Sequence, residues 1–242
     1  MNPDPEPLIP EPHVYESMQN QKNDRSRNMK STILNTVRQI PYVSLLFTAA
    51  ALVIHLYHPL RLQLLYSRKG LADLEIWRIL TCHGVHLNGD HLLWSTLTFC
   101  VLGSICEIMD RKKYILSIGI AAVLIPVTLW LGMPDLKIYG GLSGLDCSLY
   151  ALLIVLFIKR EWHLRNWLWI MLYIVLLGLL LGKILYETTT GLTFFVDNTQ
   201  TDMVPVPLSH LVGGLVGIAV GTSMAGRKSR QRLFLIPEPP CL

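Results

Sequence analysis

The sequence predicts an all-α, polytopic membrane protein: a bundle of six transmembrane helices with a first loop lying at the membrane interface. Three observations carry this expectation. Hydrophobic residues make up 51% of the chain and charged residues only 16%, whereas a soluble domain carries about a quarter charged. The apolar residues are gathered in blocks long enough to cross a bilayer. Basic residues sit between these blocks, where they set orientation. The net charge of +4 is distributed in this way, so it points to the lipid bilayer as partner and not to nucleic acid.

Residues 1–39 are expected to be a disordered cytoplasmic tail. They are polar, with Pro3, Pro5, Pro7, Pro10 and Pro12 early and Lys22, Arg25, Arg27, Lys30 and Arg38 later. They lack the apolar stretch of a cleavable signal peptide. Residues 40–226 form the membrane domain, and 227–242 a second cytoplasmic tail, basic and then proline-rich. The first span covers about 41–57. Residues 58–85 are interrupted by Arg61, Arg68, Lys69, Asp73, Glu75 and Arg78, too polar to cross. Tyr66 and Trp77 mark them as interfacial.

The second span runs from about 90 to 108 and ends at Asp110-Arg111-Lys112-Lys113. The third covers about 114–133, with Pro126 free to kink it. The fourth runs from about 141 to 158, the fifth from 167 to 186 and the sixth from 206 to 225. Between the last two lies a polar loop, 187–203, with Glu187, Asp197 and Asp202. The N-terminal tail, the second-to-third turn, the fourth-to-fifth turn and the C-terminal tail are basic, which places both termini in the cytoplasm. The first loop alone breaks that trend.

Chemistry concentrates in Tyr139-Gly140-Gly141-Leu142-Ser143-Gly144. Glycines disfavour helix, so their density at the head of a span has a cause. Close packing of another helix is one; access to the Ser143 hydroxyl, with N–H groups left for an anion, is the other. By the alternation of sides, Ser143, His210, and the pair His91 and Ser95 enter three different spans from the outer face at one depth. A serine with a neutral imidazole is the minimum for acyl transfer. Gly213, Gly217 and Gly221 form a small-residue stripe on the sixth span that lets it approach the fourth, bringing His210 toward Ser143.

His91, one turn from Ser95, can donate to an oxyanion beside the Ser143 N–H. His83, His86 and His91 with Asp90 raise a metal site, but their spacing fits no His-pair zinc motif; no metal or cofactor is expected. His86 reads as a structural hydrogen-bonding residue. Arg78 reads as an anchor to headgroups or backbone carbonyls, and Glu107 as an acceptor for neighbouring helix ends or a partner of Arg111. The role of Asp146, one turn from Ser143, stays open. The five cysteines have neither metal nor disulfide spacing.

The chain resembles the rhomboid family of intramembrane serine proteases. Trp77-Arg78, then His86, His91 and Glu107, then Gly141-Leu142-Ser143-Gly144, and finally His210 with Gly213 and Gly217 carry the resemblance. It implies a Ser143–His210 dyad with no required acid, an oxyanion hole including His91, and a hydrated cavity open to the outer side. The implied substrates are single-pass membrane proteins cut in or near their spanning segment. Many members carry Asn where this chain has Ser95, so that arm of the oxyanion hole is shorter here. Within the family, the stretch from Trp77 to Leu93 looks like the rhombosortases, which implies a bacterial inner membrane and substrates with C-terminal sorting helices. A catalytically inactive relative that binds membrane proteins is the alternative. A solute transporter is disfavoured by the lack of repeats and of paired buried charges.

Overall fold

In the computed structural model, the described residues are 39–192 and 206–223, together with 16, 19–25, 27 and 29. Two compact units are present, Met1–Ile40 and Pro41–Leu242. In the first, residues 19–25 are helical and exposed; most of the expected disordered tail lies outside the described residues. So do Asp197, Asp202, residues 224–225 of the sixth expected span and the C-terminal tail.

The second unit opens with α1 (Tyr42–Leu56), followed by α2 (His58–Leu64), and the chain bends by 115° between them. Pro59 suits the first turn of α2, where a missing N–H costs nothing. The first loop then folds as β1 (Tyr66–Ser67), α3 (Arg68–Ala72), α4 (Arg78–Thr81) and a 3-10 turn over Cys82–Gly84. Next come α5 (Gly89–Gly132), β2 (Ile138–Tyr139), α6 (Ser143–Leu164), α7 (Trp167–Thr190) and α8 (Pro207–Thr222).

The fold is a helical membrane bundle. The all-α expectation holds; among the described residues the sheet is confined to the two-residue antiparallel pairing of β1 with β2, Tyr66 opposite Tyr139. The second and third expected spans are joined inside the polar cluster 110–113, as the sequence marks it. α5 leaves helical geometry only at Asp110 (φ −149°, ψ 85°). The Asp110 carboxylate then accepts from the Lys113 N–H and restarts the helix.

Among the described residues, α5 and α7 are long and apolar enough to cross a membrane, and the bent pair α1–α2 makes a third candidate. Helix length and apolarity thus support two to three crossings; the number six stays an expectation.

α6 is the central helix. Residues 144–149 and 151–156 are all buried, as expected of a helix apolar all round. It packs most extensively on α8 and next on α5. α7 is the opposite case: of its 24 residues only Ile170, Ile184 and Glu187 are buried. Its outward Leu168, Leu179 and Val175 have no reason to be exposed except to lipid.

Glycine explains the α6–α8 contact. A Cβ on Gly213 would overlap the Gly144 carbonyl oxygen, and one on Gly217 the Ser148 carbonyl oxygen. At the far end, Lys113 and Lys159 each donate to the Gly221 carbonyl at 2.7 Å, satisfying the last carbonyls of α8 with positive charge.

Candidate active site

Ser143 is the first residue of α6 and is half-buried. Leu142 before it offers no side-chain cap. The Asp146 N–H donates to the Leu142 carbonyl at 2.8 Å, so helix geometry leaves the N–H groups of residues 143–145 without an intrahelical partner. That end of α6 also carries the positive pole of the helix.

The turn leading to it is fixed by the first loop. The Gly141 N–H donates to the Cys82 carbonyl at 3.1 Å. The Leu142 N–H donates to His86 Nε2 at 3.3 Å. Gly141 has φ +126°, and a Cβ there would strike the His91 ring, so both backbone and space demand glycine.

The loop's own supports follow. Arg78 Nη1 donates to the Leu62 and Leu65 carbonyls at 2.9 and 2.8 Å, and Arg78 Nε to Glu75 at 2.5 Å. Trp77 Nε1 donates to the Gln63 carbonyl at 3.3 Å. His86 passes its carbonyl to His55 Nδ1, 3.1 Å away, and His83 Nε2 contacts the Ala122 carbonyl at 3.0 Å. Burial pushes the His83 imidazole down; burial, then the neighbouring His91, pushes His86 to about 3. Both stay neutral at ordinary pH, which His86 Nε2 requires in order to accept.

His91 occupies the first turn of α5, its N–H accepted by the capping Asn88 Oδ1 at 2.6 Å. Its ring lies over Gly141 and 5.0 Å from the His86 ring. Its Nδ1 is buried without a partner. Ser95, one turn on, is buried. Glu107, at the other end of that half of α5, is a cap for α1: its carboxylate accepts from the Val43 and Ser44 N–H groups at 3.2 and 2.9 Å and from Ser44 Oγ at 3.0 Å. Arg111 pairs with it at 3.3 Å.

His210 lies in the first turn of α8 and is buried. Ser209 and Gly144 face each other: a Cβ on Gly144 would stand 3.2 Å from the Ser209 carbonyl. The fold therefore brings the residue after Ser143 against the residue before His210. His91 thus meets the turn before Ser143, and Gly144 and Ser209 join the head of α6 to that of α8. No Ser143–His210 hydrogen bond is formed among the described residues; in enzymes without substrate that contact is often long.

Sequence reasoning missed Glu187 and Lys183 as partners of His210. Glu187 belongs to α7, not to the polar loop, and is only 2% exposed. Its Oε2 lies 2.8 Å from His210 Nδ1, and its Oε1 accepts from Lys183 Nζ at 2.6 Å. The expectation of no paired buried charges is thereby overturned. The signal was available: a Lys and a Glu four residues apart at the end of an apolar helix form a side-by-side pair, and charges there turn inward. The Oδ1 of Asp146, one turn on from Ser143, is buried without a partner. Among the described residues no group of His, Cys, Asp and Glu is arranged to hold a metal.

A family model for the rhomboid domain matches residues 73–227, well over half of the chain. The chain belongs to the rhomboid family. The match contains every residue that carries the resemblance, from Trp77 through Gly217. Rhomboid proteins are generally intramembrane serine proteases, with inactive members among them, and this one is an integral membrane protein. No curated protein matches the chain.

Proposed function

We propose that this rhomboid is an intramembrane serine endopeptidase that cuts single-pass membrane proteins in or near their spanning segment. The observation that carries the reading is the seat of Ser143 on the uncapped N-terminus of α6, where Gly144 abuts the residue preceding His210.

His210 Nε2 takes the Ser143 hydroxyl proton as Oγ bonds to the scissile carbonyl carbon. The oxyanion is met by the N–H groups at the head of α6, with His91 and Ser95 beside them. The C–N bond then breaks, and the imidazolium gives its proton to the leaving amine. Water, deprotonated by His210, attacks the acyl-enzyme; the carboxylate product leaves and Ser143 regains its proton. No cofactor enters this scheme.

The rest of the reading concerns place and substrate. Both termini lie in the cytoplasm of a bacterium and the site opens to the outer face of the inner membrane. Substrates with C-terminal sorting helices are the subclass favoured by the stretch from Trp77 to Leu93. An inactive, substrate-binding rhomboid is the second reading, and Ser95 in the oxyanion hole is the observation in its favour.

Labelling with a fluorophosphonate probe separates the two. Ser143→Ala and His210→Ala are expected to lose at least about 10³-fold in labelling rate and in cleavage of a membrane substrate, while still inserting and folding. Equal labelling of wild type and Ser143→Ala overturns the peptidase reading.

A further inference from the structure

We infer that Glu187 is a positioning residue for His210, so that the site works as Ser143–His210–Glu187 and not as a bare serine–histidine pair. The inference rests on the peptidase reading above and adds to it an acid from α7.

Hydrogen-bond direction supplies the argument. An ionised carboxylate only accepts, so the 2.8 Å contact between Glu187 Oε2 and His210 Nδ1 requires the proton on Nδ1. That leaves the lone pair on Nε2, the nitrogen that must deprotonate Ser143. The competing contact comes from Lys183, whose Nζ lies 3.4 Å from the same Nδ1. An ammonium only donates, so a Lys183–His210 bond would place the imidazole proton on Nε2 and leave no base facing Ser143. The two neighbours of Nδ1 thus favour opposite tautomers, and the shorter contact belongs to the carboxylate.

Lys183 is turned to the productive side by its own 2.6 Å bond to Glu187 Oε1. Each carboxylate oxygen then has one partner, which pins the side chain. The positive charge keeps Glu187 ionised in a place where a lone carboxylate is costly. The packing of α7 strengthens the case. This helix buries few residues and touches α8 sparingly, yet one of its three buried side chains is an acid aimed at His210.

The test measures the inactivation rate constant and the inhibitor constant of the fluorophosphonate separately, on the full-length protein in detergent. Glu187→Gln keeps the shape, but with its one oxygen held by Lys183 its amide N–H faces Nδ1 and favours the wrong tautomer. It is expected to lower the inactivation rate constant at least about tenfold with the inhibitor constant unchanged, and Glu187→Asp is expected to recover part of the loss. A purely structural Glu187 would lower the melting temperature and leave the rate constant of the folded fraction intact. A Glu187→Gln rate constant within about twofold of wild type, with Ser143 still labelled, overturns this inference and leaves the peptidase reading standing. Failure of wild type to label at Ser143 overturns the peptidase reading itself. One measurement needs no variant at position 187: ¹⁵N shifts of His210 in histidine-labelled protein, assigned with His210→Ala. A protonated Nδ1 is expected; a protonated Nε2 overturns the proposal even if Glu187→Gln does not fold.

Discussion

Glu107 accepts from two backbone N–H groups and a hydroxyl of α1 while Arg111 pairs with it. A buried carboxylate placed at the start of a helix satisfies orphan donors and meets the positive pole. Glu107→Gln keeps the volume but not the charge, and its amide cannot accept from all three donors at once. We expect a loss of about 1–3 kcal/mol, read as a lower melting temperature in detergent, with Ser143 labelling at permissive temperature nearly unchanged. Both sequence readings of Glu107, helix-end acceptor and partner of Arg111, describe what it does. At Arg78, where headgroups and carbonyls were both open, the Leu62 and Leu65 carbonyls take the guanidinium. Glu187 was legible only in part: its spacing from Lys183 announces the pair but not the partner on α8. A charge at the edge of an apolar block looks the same in sequence whether it faces water or a neighbouring helix.

The contact of α6 with α8 is a matter of backbone meeting backbone. Gly213, Gly217 and Gly221 recur every four residues and so share one face of α8. Each lies where a Cβ would strike α6, at Gly144, Ser148 and Val155 in turn. Gly214 is off that line: its Cβ would make an ordinary 3.6 Å contact with Leu180. Gly217→Ala is therefore expected to push the helices apart, cost about 1–3 kcal/mol and slow Ser143 labelling through His210. Gly214→Ala is expected to be neutral or slightly stabilising through helix propensity. Melting temperatures and labelling rates of the two variants side by side check this, and equal damage from both would refute the packing account. The stripe was readable from spacing alone. So was the break at Asp110, which falls inside the polar cluster 110–113 that ends the second expected span; that the break takes a single residue was left to the structure.

Across the whole molecule, charge sorts to the two ends of the bundle. Lys113 and Lys159 hold the last carbonyls of α8 at the end opposite Ser143. Lys112 and Asp135, both exposed, flank the second half of α5 at its two ends. With the proposed orientation, Asp135→Cys is expected to react with a membrane-impermeant maleimide in intact cells. Lys112→Cys is expected to react only after permeabilisation. The reverse pattern would invert the orientation and put the site on the cytoplasmic side.

Hydropathy and charge by themselves determined where the apolar helices lie along the chain, because both properties are sums over neighbouring residues. The rotation of each helix about its own axis was left to tertiary packing. α7 is apolar nearly all round, so nothing local says which side faces α8. Only the docking of α8 on α6 creates the buried position at which Glu187 meets His210.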